Sequence, residues 1–200
     1  MINLELPNIS VMLDAVPQDV FDLINQEVDE ILAGADTNDQ ISSALTAPGV
    51  PAHYRLSNTT ENHLKNFVFD LADNYRRSSL YLNSVRLLKN PAPYHFNQPW
   101  INVQQAGEFL PNHIHEGILS YVIWVKIPMA IQQSGPSAVE GKFEFTYNNI
   151  LGTTIGHNID LDQSYIGKIL IFPASLRHCV YPFRSDEARV SVSGNILLGQ

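Results

Sequence analysis

The feature that most constrains this chain is a change of hydrophobic period at Pro91-Ala92-Pro93. Upstream, apolar residues return every three or four positions. Val20, Leu23, Ile24, Val28, Ile31 and Leu32 share one face of a helix predicted from Pro17 to Leu32. Pro17 suits its first turn and Gly34 the position just past its end. Leu64, Phe67, Val68, Leu71 and Tyr75 mark a second helix, with Asn58 or Thr59 as candidate cap. Between the two, Asp36 to Pro51 is polar and turn-rich. Downstream, short runs rich in β-branched and aromatic residues occur at Trp100–Gln104, Leu119–Ile127, Lys142–Tyr147, Lys168–Phe172, Cys179–Phe183 and Ala188–Ile196. Gly, Pro and Asn separate them, which predicts an antiparallel β-sandwich or barrel. Leu119–Ile127 is apolar on nearly both faces and reads as a central strand. The expected class is therefore mainly β with a helical N-terminal part (α+β).

Composition supports one packed body. Hydrophobic residues make up 44% and charged residues 16% of 200 positions, enough apolar surface for a sizeable core. A single cysteine, Cys179, excludes an intrachain disulfide and a Cys-type zinc site. No apolar run reaches the roughly 20 residues of a membrane span, and the N-terminus lacks a basic signal-like region, so a soluble intracellular protein is expected. The net charge of −8 disfavours a broad nucleic-acid surface, since that affinity comes from basic groups displacing counterions. The one basic candidate, Tyr75-Arg76-Arg77 with Arg86 and Lys89, reads as a solvated helix face.

Chemistry concentrates in the second half. Two of the seven histidines, His113 and His115, stand in Asn112-His-Ile-His-Glu-Gly117, just before the apolar strand. Extended backbone sends alternate side chains to one side, so both imidazoles point the same way and can share a metal ion. His178, at a strand junction in Phe172-Pro-Ala-Ser-Leu-Arg-His178, is the distant third candidate. Neutral imidazoles suit Fe(II), Zn(II) or Mn(II), and such a set leaves coordination positions open for substrate. Taken singly, a His-x-His pair arises by chance and a loop histidine is ordinarily just hydrogen-bonded. Arg189 adds weight. Alternation puts Arg189, Ser191 and Ser193 on one face and Val190 and Val192 on the other. An Arg facing a barrel interior needs compensation. A bidentate carboxylate ligand would provide it, with Ser191 as second donor; so would Asp186, Glu187 or another acid of the chain, and an Arg189 on the outer face would need none. His53, His63, His95 and His157 lack ligand-like neighbours and read as surface, helix or loop residues. Cys179, next to His178, faces the other way and reads as a small packed hydrophobe.

As an ordered set, His113-x-His115, a central strand, Phe172-Pro173-x4-His178 and Arg189-x-Ser191 near Asn195 resemble the 2-oxoglutarate/Fe(II)-dependent oxygenases, especially small members from bacteria and tailed phages. Trp100-Ile-Asn102-Val-Gln104, Tyr121 through Pro128 and Gly167 through Pro173 extend the likeness. The resemblance implies a double-stranded β-helix, or jelly roll, over residues 94–200, and a helical supporting region over residues 1–93, in one compact domain. It implies Fe(II) held by His113 and His178, and 2-oxoglutarate with its distal carboxylate on Arg189 and Ser191, O2 being the other co-substrate. This chain departs from the family's usual His-x-Asp/Glu…His: His115 occupies the carboxylate position and Glu116 follows it. Same-face geometry favours His115, giving a three-histidine site, with Glu116 the alternative if the backbone bends. Asn102, Gln104 and Tyr121 are candidate cofactor or substrate contacts, whereas Trp124 suits core packing. The implied reaction is oxidative decarboxylation of 2-oxoglutarate to succinate and CO2, coupled to hydroxylation of an unknown substrate. It is expected in the cytoplasm, that of the host if the protein is phage-encoded.

Two other readings stay open. Gly107-x5-His113-x-His115 and Gly167-x5-Pro173 also resemble cupin motifs, but a cupin expects a glutamate soon after the His pair, where Leu119 and Ser120 stand, and has no need of Arg189-x-Ser191. A non-catalytic jelly-roll interaction module is the other, since fold does not dictate function. Substrate selection is expected in Met129–Glu140 and Asn148–Gln163. Neither carries a recognition motif, and oligomeric state is not legible.

Overall fold

The computed structural model describes residues 9–34, 49–78, 93–133 and 139–199. The elements run β1 (Met12–Ala15), α1 (Gln18–Leu32), β2 (Ala52–Arg55), α2 (Asn58–Ser78), β3 (Tyr94–Phe96), β4 (Trp100–Gln104), β5 (Leu110–His113), β6 (Leu119–Lys126), α3 (Met129–Gln133), β7 (Phe143–Asn148), β8 (Thr154–Ile159), β9 (Lys168–Pro173), β10 (Arg177–Val180) and β11 (Arg189–Leu198). A major antiparallel sheet has the order β1-β9-β6-β11-β4-β2, with β3 also on β11. A minor sheet, β5-β10-β7-β8, faces it. The result is the expected mainly-β jelly roll with helices outside.

Strand β6 shows how one run serves two cores. Leu119, Tyr121, Ile123 and Val125 pack toward the helices, while Val122 and Trp124 point between the sheets against Phe143, Phe172 and Leu170. A strand buried on both faces must be apolar throughout. Helix α1 presents Val20, Ile24 and Val28 to the outer face of the major sheet. Burying each stabilises by roughly 1.5–3 kcal/mol. Helix α2 adds Leu64, Val68, Leu71 and Tyr75. Its N-terminus is capped by Ser57, whose Oγ accepts from the Thr60 N–H at 3.3 Å, rather than by Asn58 or Thr59. The Ser57 N–H also donates to Glu27 of α1 at 2.9 Å, tying the two helices together.

The first half is less purely helical than its periodicity predicts, because β1 and β2 extend the two ends of the major sheet. Both are four residues long, too short for a period to register. Asn148–Gln163 contains strand β8, on which exposed His157 lies, and its Leu161 lines the cavity described below. Of Met129–Glu140, residues 134–138 lie outside the described residues, as do Arg86 and Lys89. Arg76 pairs with Asp73 at 3.2 Å along the α2 surface. No helix among the described residues is long and apolar enough to cross a membrane.

Candidate metal centre

Two strands of the minor sheet and the segment that follows β5 deliver the histidines. His113 ends β5 and lies directly opposite His178 on β10. His115 follows two residues beyond the strand, its N–H held by the Ala174 carbonyl at 2.9 Å. The next turn passes under β11 at Gly117. There φ is +95° and an added Cβ would stand 2.6 Å from the Ile196 carbonyl oxygen, so only glycine fits. The three imidazoles converge with ring centroids 4.3 to 5.0 Å apart. Their ligand nitrogens all lie within 4.8 Å of one another.

Electrostatics keeps the His115 and His178 rings neutral. Burial, then the neighbouring His113, lowers His178 to about 3 and His115 to about 4. The His113 Nδ1 lies 2.7 Å from the Pro111 carbonyl and the His178 Nδ1 2.9 Å from the Leu176 carbonyl. A carbonyl only accepts, so Nδ1 carries the proton in each and Nε2 keeps its lone pair. Phe143, stacked at 5.3 Å, and Phe172 at 5.0 Å wall in the His178 ring. Three converging imidazoles, two of them oriented by carbonyls, fit a borderline divalent metal such as Fe(II).

The same cavity, about 340 Å³, reaches from the triad to Arg189. Arg189 is 4% exposed. Its Nε donates to Gln104 Oε1 at 2.9 Å, and its Nη atoms donate to Gln104, to the Gly141 carbonyl and to the Tyr181 carbonyl, the last at 3.2 Å. No carboxylate among the described residues pairs with it, Asp186 and Glu187 included. Burial without a counter-charge pushes the guanidinium down to about 9. A ligand carboxylate would supply the missing charge.

Asn102 and Ser191 line the cavity between the two ends. Asn102 Nδ2 donates to Ser191 Oγ at 3.3 Å and to Ser193 Oγ at 3.0 Å, so β4 and β11 hold each other's polar face. Gln104 positions Arg189. Tyr121 requires a correction. It borders the cavity, but its side chain sits in the helix-side core, stacked on Phe96 at 6.1 Å and covering Gly194. The period of two sends it away from Val122 and Trp124, so it is a packing residue. Trp124 both packs and lines the cavity. Glu116 is exposed and stands outside the histidine group. Cys179 pairs with Glu144 on β7, one residue out of phase with His178, and so faces away from the triad.

Sequence reasoning missed His53. It is neither on a helix nor free at the surface: it lies on β2, opposite Asn102, and faces the cavity with its Nε2 buried and unpartnered among the described residues. Burial, then His113, lowers its pKa. Ala52-His-Tyr-Arg is too short and polar to announce a strand, so only the pairing reveals where His53 points.

Residues 98–195 match the family described as "Putative 2OG-Fe(II) oxygenase". No curated protein matches the sequence. Among solved structures, a Pseudomonas putida prolyl-4-hydroxylase is similar with a TM-score of 0.60 at 12% identity, over 96% of this chain and 94% of that one. A Trichoplax adhaerens prolyl hydroxylase, solved with a hypoxia inducible factor oxygen degradation domain peptide fragment, gives 0.60 at 12%, over 94% and 82%. The non-heme α-ketoglutarate-dependent epimerase from nogalamycin biosynthesis gives 0.58 at 13%, over 94% and 78%. At these identities the likeness establishes the double-stranded β-helix fold alone. With the histidine triad able to hold metal lying inside it, the matched segment, residues 98–195, belongs to the 2-oxoglutarate/Fe(II) oxygenase family, whose chemistry calls for Fe(II), 2-oxoglutarate and O2.

Proposed function

We propose that the protein is a hydroxylase that couples oxidative decarboxylation of 2-oxoglutarate, to succinate and CO2, to hydroxylation of an unactivated C–H bond in a second substrate. The observation that carries this reading is the buried Arg189, which lacks a carboxylate partner among the described residues and shares one cavity with His113, His115 and His178. Bound Fe(II) supplies the oxidative chemistry through 2-oxoglutarate and O2. The three histidines hold the metal as neutral ligands. Arg189 anchors the distal carboxylate of 2-oxoglutarate and Ser191 adds a hydroxyl donor beside it. Asn102 fixes the orientation of Ser191, and Gln104 holds the guanidinium in plane. Phe143, Phe172 and Trp124 exclude water around the reacting atoms. The helices of the first 93 residues brace the sheet that carries Arg189 and Ser191.

The test is an anaerobic titration of metal-free protein with Fe(II) and then 2-oxoglutarate, followed by admission of O2. The expected result is a weak visible charge-transfer band requiring both additions, then release of succinate. Fe(II) binding with no band would refute the cosubstrate assignment. A band without succinate on exposure to O2 would refute the decarboxylation. A hydroxylated product is distinguished from an epimerised or cyclised one by its mass gain of one oxygen atom.

A further inference from the structure

The cavity is one negative charge short. Its walls carry no Asp, Glu or Lys among the described residues, and Arg189 is its one permanently charged side chain. The histidines are neutral ligands, so none offsets the metal. In the oxygenase reading, on which this inference rests, the metal ion brings two positive charges and Arg189 a third, against two negative charges on 2-oxoglutarate. One positive charge stays uncompensated in a largely apolar enclosure, where charges act on each other far more strongly than in water. A carboxylate at position 115 would have cancelled it. Glu116 is exposed and outside the group, so it does not take that role.

A built-in place exists for the missing charge. His53, Asn102 and Ser191 stand in register across β2, β4 and β11 and form a polar row along the major sheet. Asn102 and Ser191 bond to each other, whereas the His53 Nε2 is buried with no partner among the described residues. His53 and His113 line the same cavity. Ile114, Leu110 and Trp100 add apolar surface to the same cavity.

We propose that the cavity recognises a second substrate bearing a single carboxylate on an apolar body, with the carboxylate placed between the histidine triad and His53. His53 Nε2–H donates to it, and the uncompensated charge of the centre attracts it.

The experiment uses full-length protein loaded with Fe(II) and saturating 2-oxoglutarate under anaerobic conditions, with benzoate and its neutral isostere benzamide as probes. Binding is read by perturbation of the charge-transfer band. Benzoate is expected to bind at least tenfold more tightly than benzamide while the band persists. His115→Asp, which restores the carboxylate, is expected to reduce that preference to threefold or less. His53→Gln is expected to weaken benzoate severalfold and leave benzamide unchanged, and it decides the matter if His115→Asp fails to fold. Equal affinity for the two probes overturns the proposal. So does benzoate that merely displaces 2-oxoglutarate and abolishes the band, or a preference untouched by both variants. Absence of the band before any probe is added would instead refute the oxygenase reading, so the two failures are distinguishable.

Discussion

Arg189→Gln separates an arginine that holds the fold from one that holds a ligand. The guanidinium is almost wholly buried, bonds only to neutral oxygens and has no acid beside it among the described residues. Two stability terms oppose each other on replacement. Losing bonds to Gln104, Gly141 and Tyr181 costs about 1 kcal/mol each. Removing a buried charge relieves a desolvation penalty of several kcal/mol. Burial lowers the guanidinium to about 9, which shows the direction of that relief. The two terms offset, and the melting temperature of the metal-free variant should shift by only a few degrees. Ligand binding has no such offset. Charge-assisted bonds to a carboxylate are worth about 3 kcal/mol, so the Kd for 2-oxoglutarate should rise roughly 150-fold. Fe(II) affinity should be unchanged, because no triad histidine bonds to Arg189. Arg189→Lys keeps the charge but loses the planar fork and should fall between the two. The assay is the anaerobic charge-transfer titration on all three proteins. A Kd within threefold of wild type for Arg189→Gln, accompanied by a large fall in melting temperature, would make Arg189 a structural residue and refute the reasoning.

Other consequences follow from single residues. His178→Ala should abolish tight Fe(II) binding, measured by calorimetry, and lower the melting temperature through the void left among Phe143, Phe145 and Phe172. The lowered pKa values of His178 and His115 set a pH dependence for the metal-free protein. Below the ordinary histidine value of 6.5, the unfolded chain binds protons that the native rings refuse, down to about 4 and about 3. Stability is thus full above pH 6.5 and falls as pH drops toward 3; melts at pH 7, 5.5 and 4 should show the decline, and His178→Gln should flatten it. Gly117→Ala forces a Cβ to 2.6 Å from the Ile196 carbonyl oxygen at positive φ. It should destabilise by about 2 kcal/mol or more and weaken Fe(II) binding by displacing His115; a melt combined with a metal titration checks both.

Much of the site was legible because it is local or periodic. His113 and His115 lie two apart beside a strand, and alternation along β11 separated Arg189 and Ser191 from Val190 and Val192 without any tertiary information. Tyr121 was misread because a strand apolar on both faces gives no pattern to say which side is the cavity. Only the packing of α1 and α2 on one face of the major sheet assigns it. His53 was missed for a complementary reason: its position is set by pairing with Asn102, nearly fifty residues away, in a strand of four residues.

What the sequence determined by itself was the two amphipathic helices, the central strand, and the residue types able to bind metal and carboxylate. These rest on spacings of two, three or four residues, which backbone geometry turns into faces. The tertiary structure alone decided that His178 stands opposite His113, that Arg189 ends in the same cavity with no acid beside it among the described residues, and that His53 joins them. Those are relations between strands far apart in the chain. Register between strands is fixed by the burial of whole faces, and no local pattern encodes it.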